Sequence, residues 1–493
     1  MKKAIVIGGG IGGLSIAARL LHKGFQVELY EKNNSIGGKT NTLKLGDFNF
    51  DLTASLIMMP KDYTDVFTDC NKNFKDYFTI NPLKTLYKVF YSDGSCYNFK
   101  AYLPNLCKTI KRITGNDIKS NYGYFDFLSS NYKKHLLAEK YFLNKPFTKS
   151  FTLLNPITLN NALKLHTLTS CYDDCSKYIK NEKLLNYCLF QSMYVGVSPY
   201  ISPNIYNLIP AVSQFKGLYY IQGGMYSYIK ALEKLVLELG GSIYTNSPVE
   251  EILFNKNKTI GVTVKNNPIL SDIVVCSSDY SYSISNLINS EKIKPIRNDI
   301  DKYKYSCSTF ILYLALNKKY PTLNIHNIFI NNNFKENLEA PFKGTLSKDP
   351  SIYIYCPSSV DKSLCPLGCE TLNVMVRVPN LLSNDIVWNK STIRNLEKSI
   401  FKILCSIDGL KDIKHHIVHK AYLTPEDFNN IYNTYNGSAF GISHTLNQSL
   451  IFRPQYSIPN IHNLYFTGAS THPGNGVSMV LKSSKICANS IKL

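Results

Sequence analysis

The sequence predicts an α/β fold: a discontinuous, Rossmann-like nucleotide-binding domain interrupted by an inserted mixed α+β domain that has a largely helical subregion. Three observations predict it. A strand, a glycine turn, a helix and a second strand open the chain; a helix-then-strand pattern returns after residue 217; and a glycine-rich turn running into a helix-like segment, "GASTHPGNGVSMVLKSSK", spans Gly468 to Lys485. The nucleotide-binding domain is assigned to 1–70, 217–290 and 455–493, and the inserted domain to 71–216 and 291–454, with about 105–190 helical.

Lys3 to Ile7 is a short apolar run, Leu14 to Leu21 is helix-like, and "FQVELYE" (Phe25 to Glu31) has the β-branched and aromatic character of a strand. Gly8, Gly10 and Gly13 form Gly-x-Gly-x-x-Gly in the intervening turn, and Glu31 ends the second strand. The first glycine permits a tight turn, the second lets backbone N–H groups approach a pyrophosphate, and the third allows helix and strand to pack closely. The helix N-terminus favours negative charge, and Glu31 stands where a ribose hydroxyl would be accepted. The same start, "MKKAIVIGGGIGGLSIAARLL", is not read as a secretory signal, because its glycines and Arg19 break the apolar run and no small-residue cleavage site follows. Gly37, Gly38 and Lys39 behind the acid give a second close backbone approach and a positive charge, as an extended dinucleotide such as FAD would need.

"TLYKVFYSDGSCYNFK" (Thr85 to Lys100) reads as a hairpin around Asp93-Gly94, and Asn116 to about Phe190 as helices. Phe125, Leu128, Tyr132, Leu136 and Leu143 fall near one helical face, with Lys133, Lys134 and Lys140 on others; that face would meet either the core or a membrane surface. Leu232, Leu235, Val236 and Leu239 then mark a helix stopped by Gly240-Gly241, and strands follow, one of them starting at Val249.

Composition bounds the rest. With 493 residues, 44% of them hydrophobic, the chain can bury a large core in two or more domains of about 100–200 residues each. Thirteen cysteines, an odd number with no Cys-x-x-Cys pair, argue against a disulfide framework and for a reducing compartment. Cys171/Cys175 and Cys365/Cys369 lack the accompanying ligands of a zinc site, so no metal is expected. A formal charge of +20 suits an anionic surface, either a membrane or nucleic acid, although a genome biased toward Lys and Asn codons gives the same balance. No helix-turn-helix or zinc-finger pattern supports nucleic acid as the partner; the basic, non-enzymatic reading would require DNA binding with a steep salt dependence and no flavin. No stretch reaches the roughly 18 uninterrupted apolar residues of a spanning helix.

Further blocks make the reading specific: "MMPKDYTDVF" (Met58 to Phe67), "YVGVSPYISP" (Tyr194 to Pro203), "YIQGGMYSYIKAL" (Tyr220 to Leu232), "SCSTFILYLAL" (Ser306 to Leu316), "DPSIYIYCPSSVDKSLCPLG" (Asp349 to Gly368), "GSAFGISHTLNQSLIFRPQ" (Gly437 to Gln455) and "LYFTGASTHPG" (Leu464 to Gly474). With these, nearly the whole chain resembles the FAD-dependent carotenoid desaturases of the phytoene desaturase group, most closely the bacterial 4,4'-diapophytoene (dehydrosqualene) desaturases. The resemblance implies noncovalent FAD, a long polyene substrate, and a cytoplasmic enzyme docked peripherally on the inner face of the membrane without spanning it. It places Gly8, Gly10 and Gly13 at the pyrophosphate, Glu31 at the ribose, Gly38 and Lys39 beside them with Lys39 in the family's usual arginine position, and Val249 at adenine through its backbone. Gly468, Ala469 and Ser470 would border the ribityl chain, with Ser55, Gly476, Val477 and Ser478 at the flavin ring.

Three departures from that pattern stand out. Asp51-Leu52-Thr53-Ala54-Ser55 replaces the usual Asp-x-Gly-Pro-Ser/Thr, so a threonine stands where a positive-φ glycine is expected. Lys39 gives up the bidentate geometry of arginine. Asn475 and Ser478 add polarity near the ring. In the implied reaction one hydrogen reaches flavin N5 as hydride and the other is lost as a proton, with oxygen or a quinone as the final acceptor. His472 and Arg453 are the catalytic candidates, each with a structural alternative: a histidine bonding the turn backbone, and an arginine in an interdomain salt bridge. The same scaffold also serves terminal-methyl oxidation of carotenoids and desaturation of the forty-carbon chain, and an amine oxidase shares the glycine loop and the acid.

Overall fold

The computed structural model describes residues 1–493 apart from 116, 148–154, 166–167, 290–292 and 384, and the side chain of 157. The expected helical stretch from Asn116 to Phe190 therefore lies in part outside the described residues.

Five strands, Leu464–Phe466, Ile273–Cys276, Lys3–Ile7, Gln26–Tyr30 and Ser242–Tyr244, lie side by side in that order and all parallel. The sheet thus collects its strands from three distant parts of the chain. The central strand, "KAIVI", is apolar on both sides because both faces are covered. Ala4 and Val6 pack under the helices Ile11–His22, Met225–Glu238 and Val477–Ser490. Ile5 and Ile7 face the antiparallel sheet Val249–Asn255, Lys258–Val264 and Asn267–Leu270.

The inserted region is built on a seven-stranded sheet, in the order Ile417–Leu423, Ser308–Leu316, Glu370–Val378, Ile352–Tyr355, His326–Ile330, Thr85–Tyr91 and Cys96–Lys100. Its pairs are antiparallel except His326–Ile330 with Thr85–Tyr91. One face carries a tyrosine-rich layer, including Tyr87, Tyr313, Tyr353 and Tyr355, that packs against the helical insert. The other is covered by the helix Lys390–Ser406, whose Ile393, Leu396, Ile400, Ile403 and Leu404 recur at helical spacing.

The helical insert buries most of the face the sequence suggests, with Leu128 covered and Phe125, Tyr132 and Leu143 half-buried against the core, but Leu136 departs from it. In the helix Ile118–Ala138 the covered residues are Tyr124, Phe127, Leu128, Asn131, Lys134, His135 and Ala138, whereas Leu136 is 48% exposed. Lys134 turns inward because Asp174 waits there, 3.4 Å away. Eleven of the 25 exposed large apolar side chains among the described residues fall between residues 102 and 215, including Tyr102, Leu103, Ile118 and Tyr122. Among the described residues, no helix is long and apolar enough to cross a membrane.

Two buried acids tie the parts together. Asp62 pairs with Lys482 at 2.7 Å, joining the helix Pro60–Thr68 to Val477–Ser490, and Lys482 also reaches Glu139 at 3.5 Å. Asp51 Oδ1 accepts from Met225 N at 2.7 Å and its Oδ2 from Tyr355 Oη at 2.9 Å, so it caps a helix remote in sequence. Gly224, at φ +81°, makes room for it: a Cβ there would lie 2.6 Å from Asp51 Oδ1. Burial pushes the Asp51 carboxyl up to about 6. Between roughly pH 4 and 6 the folded chain keeps a proton that the unfolded chain has released, so this group's share of stability falls as pH rises through that window. Asp51→Asn is expected to flatten that fall, read as the difference from wild type in thermal midpoint across the same range.

Candidate active site

A long cleft runs from the glycine turn, between the two sheets, to the tyrosine-rich face of the larger one. At its first end the strand Lys3–Ile7 breaks at Gly8, whose φ of +97° suits glycine and whose N–H donates to Tyr30 O at 2.8 Å. Gly13 packs so tightly that a Cβ would sit 1.9 Å from Gly8 O, while one at Gly10 would meet nothing within 4 Å, because Gly10 borders the cleft. The helix starting at Ile11 has no side-chain cap and no acid in its first turn. Its N-terminal amides are left for an anion.

Glu31, 5% exposed, accepts from Gly9 N at 2.8 Å through Oε2 and from Asn33 N at 2.9 Å through Oε1. Each oxygen retains a lone pair for a hydroxyl. Gly37 N donates to Gly9 O at 2.8 Å, which sets the second glycine turn against the first, and a Cβ on Gly38 would lie 3.5 Å from Gly10 Cα. Lys39 Nζ donates to Ala439 O at 2.9 Å, and burial lowers its pKa against the opposing pull of Asp279. Val249, together with Pro248, Tyr282 and Leu287, lines the far side. Asp279, which the sequence reading missed, accepts from Ser470 Oγ at 3.0 Å, and burial raises its pKa.

Gly468, Ala469, Ser470, Asn475, Gly476 and Val477 form the opposite wall. The helix Val477–Ser490 begins there from Gly476, at φ +88°, again without a side-chain cap. Asn475 Nδ2 donates to Val195 O at 3.0 Å, while its buried Oδ1 has no partner among the described residues, leaving an acceptor at the cleft wall. Ser478 is turned away from the cleft, its hydroxyl donating to Met58 O at 2.8 Å. Thr53 does not adopt a positive φ; its hydroxyl donates to Lys39 O at 2.7 Å, so the glycine missing from this motif leaves no strain.

Neither catalytic candidate reaches the cleft. His472 is buried against the insert, with Nε2 on Phe142 O at 3.2 Å and Lys145 O at 3.0 Å and its ring edge-on to Phe147. Burial lowers its pKa to about 4. Arg453 is 1% exposed, and its guanidinium donates to five backbone carbonyls, those of Ile442, Ser443, Gln448, Ala469 and Thr471. Among the described residues it makes no ion pair, so the interdomain salt bridge is not formed and the guanidinium instead serves loop carbonyls away from the cleft.

Beyond Ser55 the cleft continues past Leu56, Met58, Tyr194, Ile311, Tyr353 and Met375. Arg377 is the charged group of this chamber; Nη1 donates to Thr309 Oγ1 at 2.6 Å and the guanidinium stacks over Phe440 at 4.7 Å. Thr309, Ile311, Tyr353, Met375 and Arg377 lie on strands of the larger sheet, where the sequence signal was only the alternation of apolar and aromatic positions, whereas Leu56, Met58, Tyr194 and Phe440 come from loops and turns beside it.

Comparison with known proteins decides the family. A 4,4'-diapophytoene desaturase (4,4'-diaponeurosporene-forming) of Staphylococcus haemolyticus strain JCSC1435 is 35% identical over 494 residues, covering 99% of this chain and 98% of the relative. The chain belongs to the 4,4'-diapophytoene desaturase family. The enzyme of that name from Staphylococcus aureus strain MRSA252 is 36% identical over 98% of this chain and 97% of its own. A family model described as flavin containing amine oxidoreductase matches residues 11–304. Among solved structures, an oxidoreductase from Methanosarcina mazei aligns with a TM-score of 0.65 at 15% identity, over 98% of this chain and 99% of that one. Cyclohexylamine oxidase from Brevibacterium oxydans IH-35A aligns with a TM-score of 0.60 at 13% identity, over 99% and 98%. These two share the fold.

The cofactor is FAD, and the residues present fit it: two glycine turns, two uncapped helix N-termini on facing walls of the cleft, the Glu31 carboxylate with spare lone pairs for a ribose hydroxyl, and the orphaned Asn475 Oδ1. Gly10→Ala should leave thermal stability unchanged yet cut flavin affinity at least about tenfold, because its Cβ would enter the space left for the pyrophosphate. Gly13→Ala should instead unfold the turn. Melting curves beside flavin absorbance separate the two outcomes.

Proposed function

We propose that this FAD-dependent desaturase draws 4,4'-diapophytoene from a membrane surface and introduces double bonds into it. The carrying observation is the 35% identity to a 4,4'-diapophytoene desaturase over an alignment that covers 99% of the chain, joined to a cleft that runs beyond the glycine turns into a chamber of mainly apolar and aromatic residues. Such a chamber suits a long hydrocarbon, which needs shape and exclusion of water more than hydrogen bonds. Bound FAD supplies the two-electron acceptor. The chain's own residues grip it through the glycine turns and Glu31, and the walls at Ile311, Met375 and Tyr353 align the polyene.

A membrane surface as the source of substrate is supported by the helical insert. Its exposed Tyr102, Leu103, Ile118 and Tyr122 stand among exposed Lys108, Lys111, Arg112 and Lys119, a mixture that partitions apolar groups below anionic headgroups. The enzyme would sit peripherally, on the cytoplasmic leaflet, with oxygen or a quinone as the acceptor that reoxidises it.

Coexpression with a dehydrosqualene synthase is expected to give a yellow conjugated pigment. A colourless extract from cells whose purified enzyme carries flavin would overturn the proposal, and peroxide release on adding polyamines would turn it toward amine oxidation. The triple substitution Leu103→Ser, Ile118→Ser, Tyr122→Ser should reduce flotation with anionic vesicles several-fold while flavin content is kept.

A further inference from the structure

A dehydrogenation across a carbon–carbon bond releases one hydrogen as a proton, and a cleft filled by hydrocarbon holds no water to take it. His472 and Arg453 do not reach the cleft. We propose that Tyr353 takes this proton from the substrate carbon while passing its own hydroxyl proton to His326, which keeps it until the product leaves. The inference rests on the desaturase reading above.

Tyr353 lines the cleft with Ser55, and their hydroxyls are 3.1 Å apart. On its other side Tyr353 Oη lies 2.7 Å from His326 Nδ1. The pairing follows from the sheet: His326–Ile330 runs antiparallel to Ile352–Tyr355, with His326 opposite Tyr355, so the imidazole lies along the row of tyrosines on the same face. It stacks on Tyr355 at 16° and on Tyr353 at 21°. His326 is fully buried, and its Nε2 has no hydrogen-bond partner among the described residues. A ring kept only for packing leaves that cost uncompensated, since an apolar side chain would fill the space without it.

Protons and electrons balance. The substrate C–H bond breaks and its electron pair joins the new double bond, while the neighbouring hydrogen leaves with its own pair to the flavin oxidant that the family's activity supplies. An O–H bond forms at Tyr353 as its former one breaks, and an N–H bond forms at His326 Nδ1. When the product departs these transfers reverse, and Ser55 at the cleft wall hands the proton to returning water. Nδ1 is the acceptor in this relay, so the resting tautomer carries its proton on Nε2. Burial holds the imidazole down to about 3, so it rests neutral and gives the proton up readily once water is present. A strong base is not needed, because a carbon next to one losing hydride is a far stronger acid than imidazolium. Tyr353 is thus the catalytic residue and His326 its positioning partner.

The test uses flavin-loaded wild type, Tyr353→Phe, His326→Gln and the double variant, with a polyene deuterated at the carbon that loses the proton. Each single variant should lower kcat at least about tenfold, the lower part of the range for general acid–base groups. Flavin affinity and melting temperature should hold, the double variant should be no slower than the slower single, and the isotope effect should grow. A Tyr353→Phe enzyme within about twofold of wild type, or a slower one with an unchanged isotope effect, overturns the relay. If His326→Gln fails to fold, Tyr353→Phe decides alone. A wild type that binds flavin but does not act on the polyene overturns the desaturase reading and the relay with it, whereas an active wild type beside an unaffected Tyr353→Phe overturns the relay only.

Discussion

The guanidinium of Arg453 holds the cleft's loops in place. Residues 442–448 leave the region of the larger sheet, residues 469–471 follow the last strand of the parallel sheet, and neither stretch has a ladder to satisfy its carbonyls. A buried carbonyl without a donor is costly, and Arg453 supplies donors to five of them from one planar group. Lysine could not, since it has three donors on a single atom. Burial lowers the Arg453 pKa only to about 10, so the group stays charged under ordinary conditions. His472 extends the same work by holding the carbonyls of Phe142 and Lys145, and Lys482 adds Asp62 and Glu139. The cofactor loop is thereby fixed to the insert as well as to its own sheet.

What could be read in the sequence was what depends on local geometry. Gly8, Gly10, Gly13 and Glu31 announce themselves because a tight turn and a close helix-to-strand approach exclude other residues. Gly476 and the helix from Val477 were legible for the same reason. The roles of Arg453 and His472 were not, since "FRPQ" and "STHPG" give no clue to whether a side chain points into a cleft or into a neighbouring loop. Thr53 warned of strain that the backbone avoids by never entering the left-handed region.

The larger sheet was the least legible part. The alternation in "SIYIYC" puts Tyr353 and Tyr355 on one face, but which face meets the cleft is set by how the sheet docks. His326 shows the limit well: its partner lies on an adjacent strand, in a register that no single-strand pattern encodes. In the helix Ile118–Ala138 one position of the expected face, Leu136, departs for a related reason. Asp174, from another helix, draws Lys134 inward and leaves Leu136 outside.

The order of strands in the parallel sheet has a consequence in time. Lys3–Ile7 is synthesised early, yet one neighbour, Ile273–Cys276, arrives midway, and the strand beyond that, Leu464–Phe466, comes last. Until then the growing chain carries a glycine turn with half its walls and an apolar strand with an open edge, the kind of surface that invites aggregation. Such long-range pairing is slow to form. The cleft that would take FAD is lined by residues from all three segments, so bound flavin would stabilise the finished chain and not its earlier intermediates. The supply of flavin would thus act as a late check, after synthesis, on which chains persist.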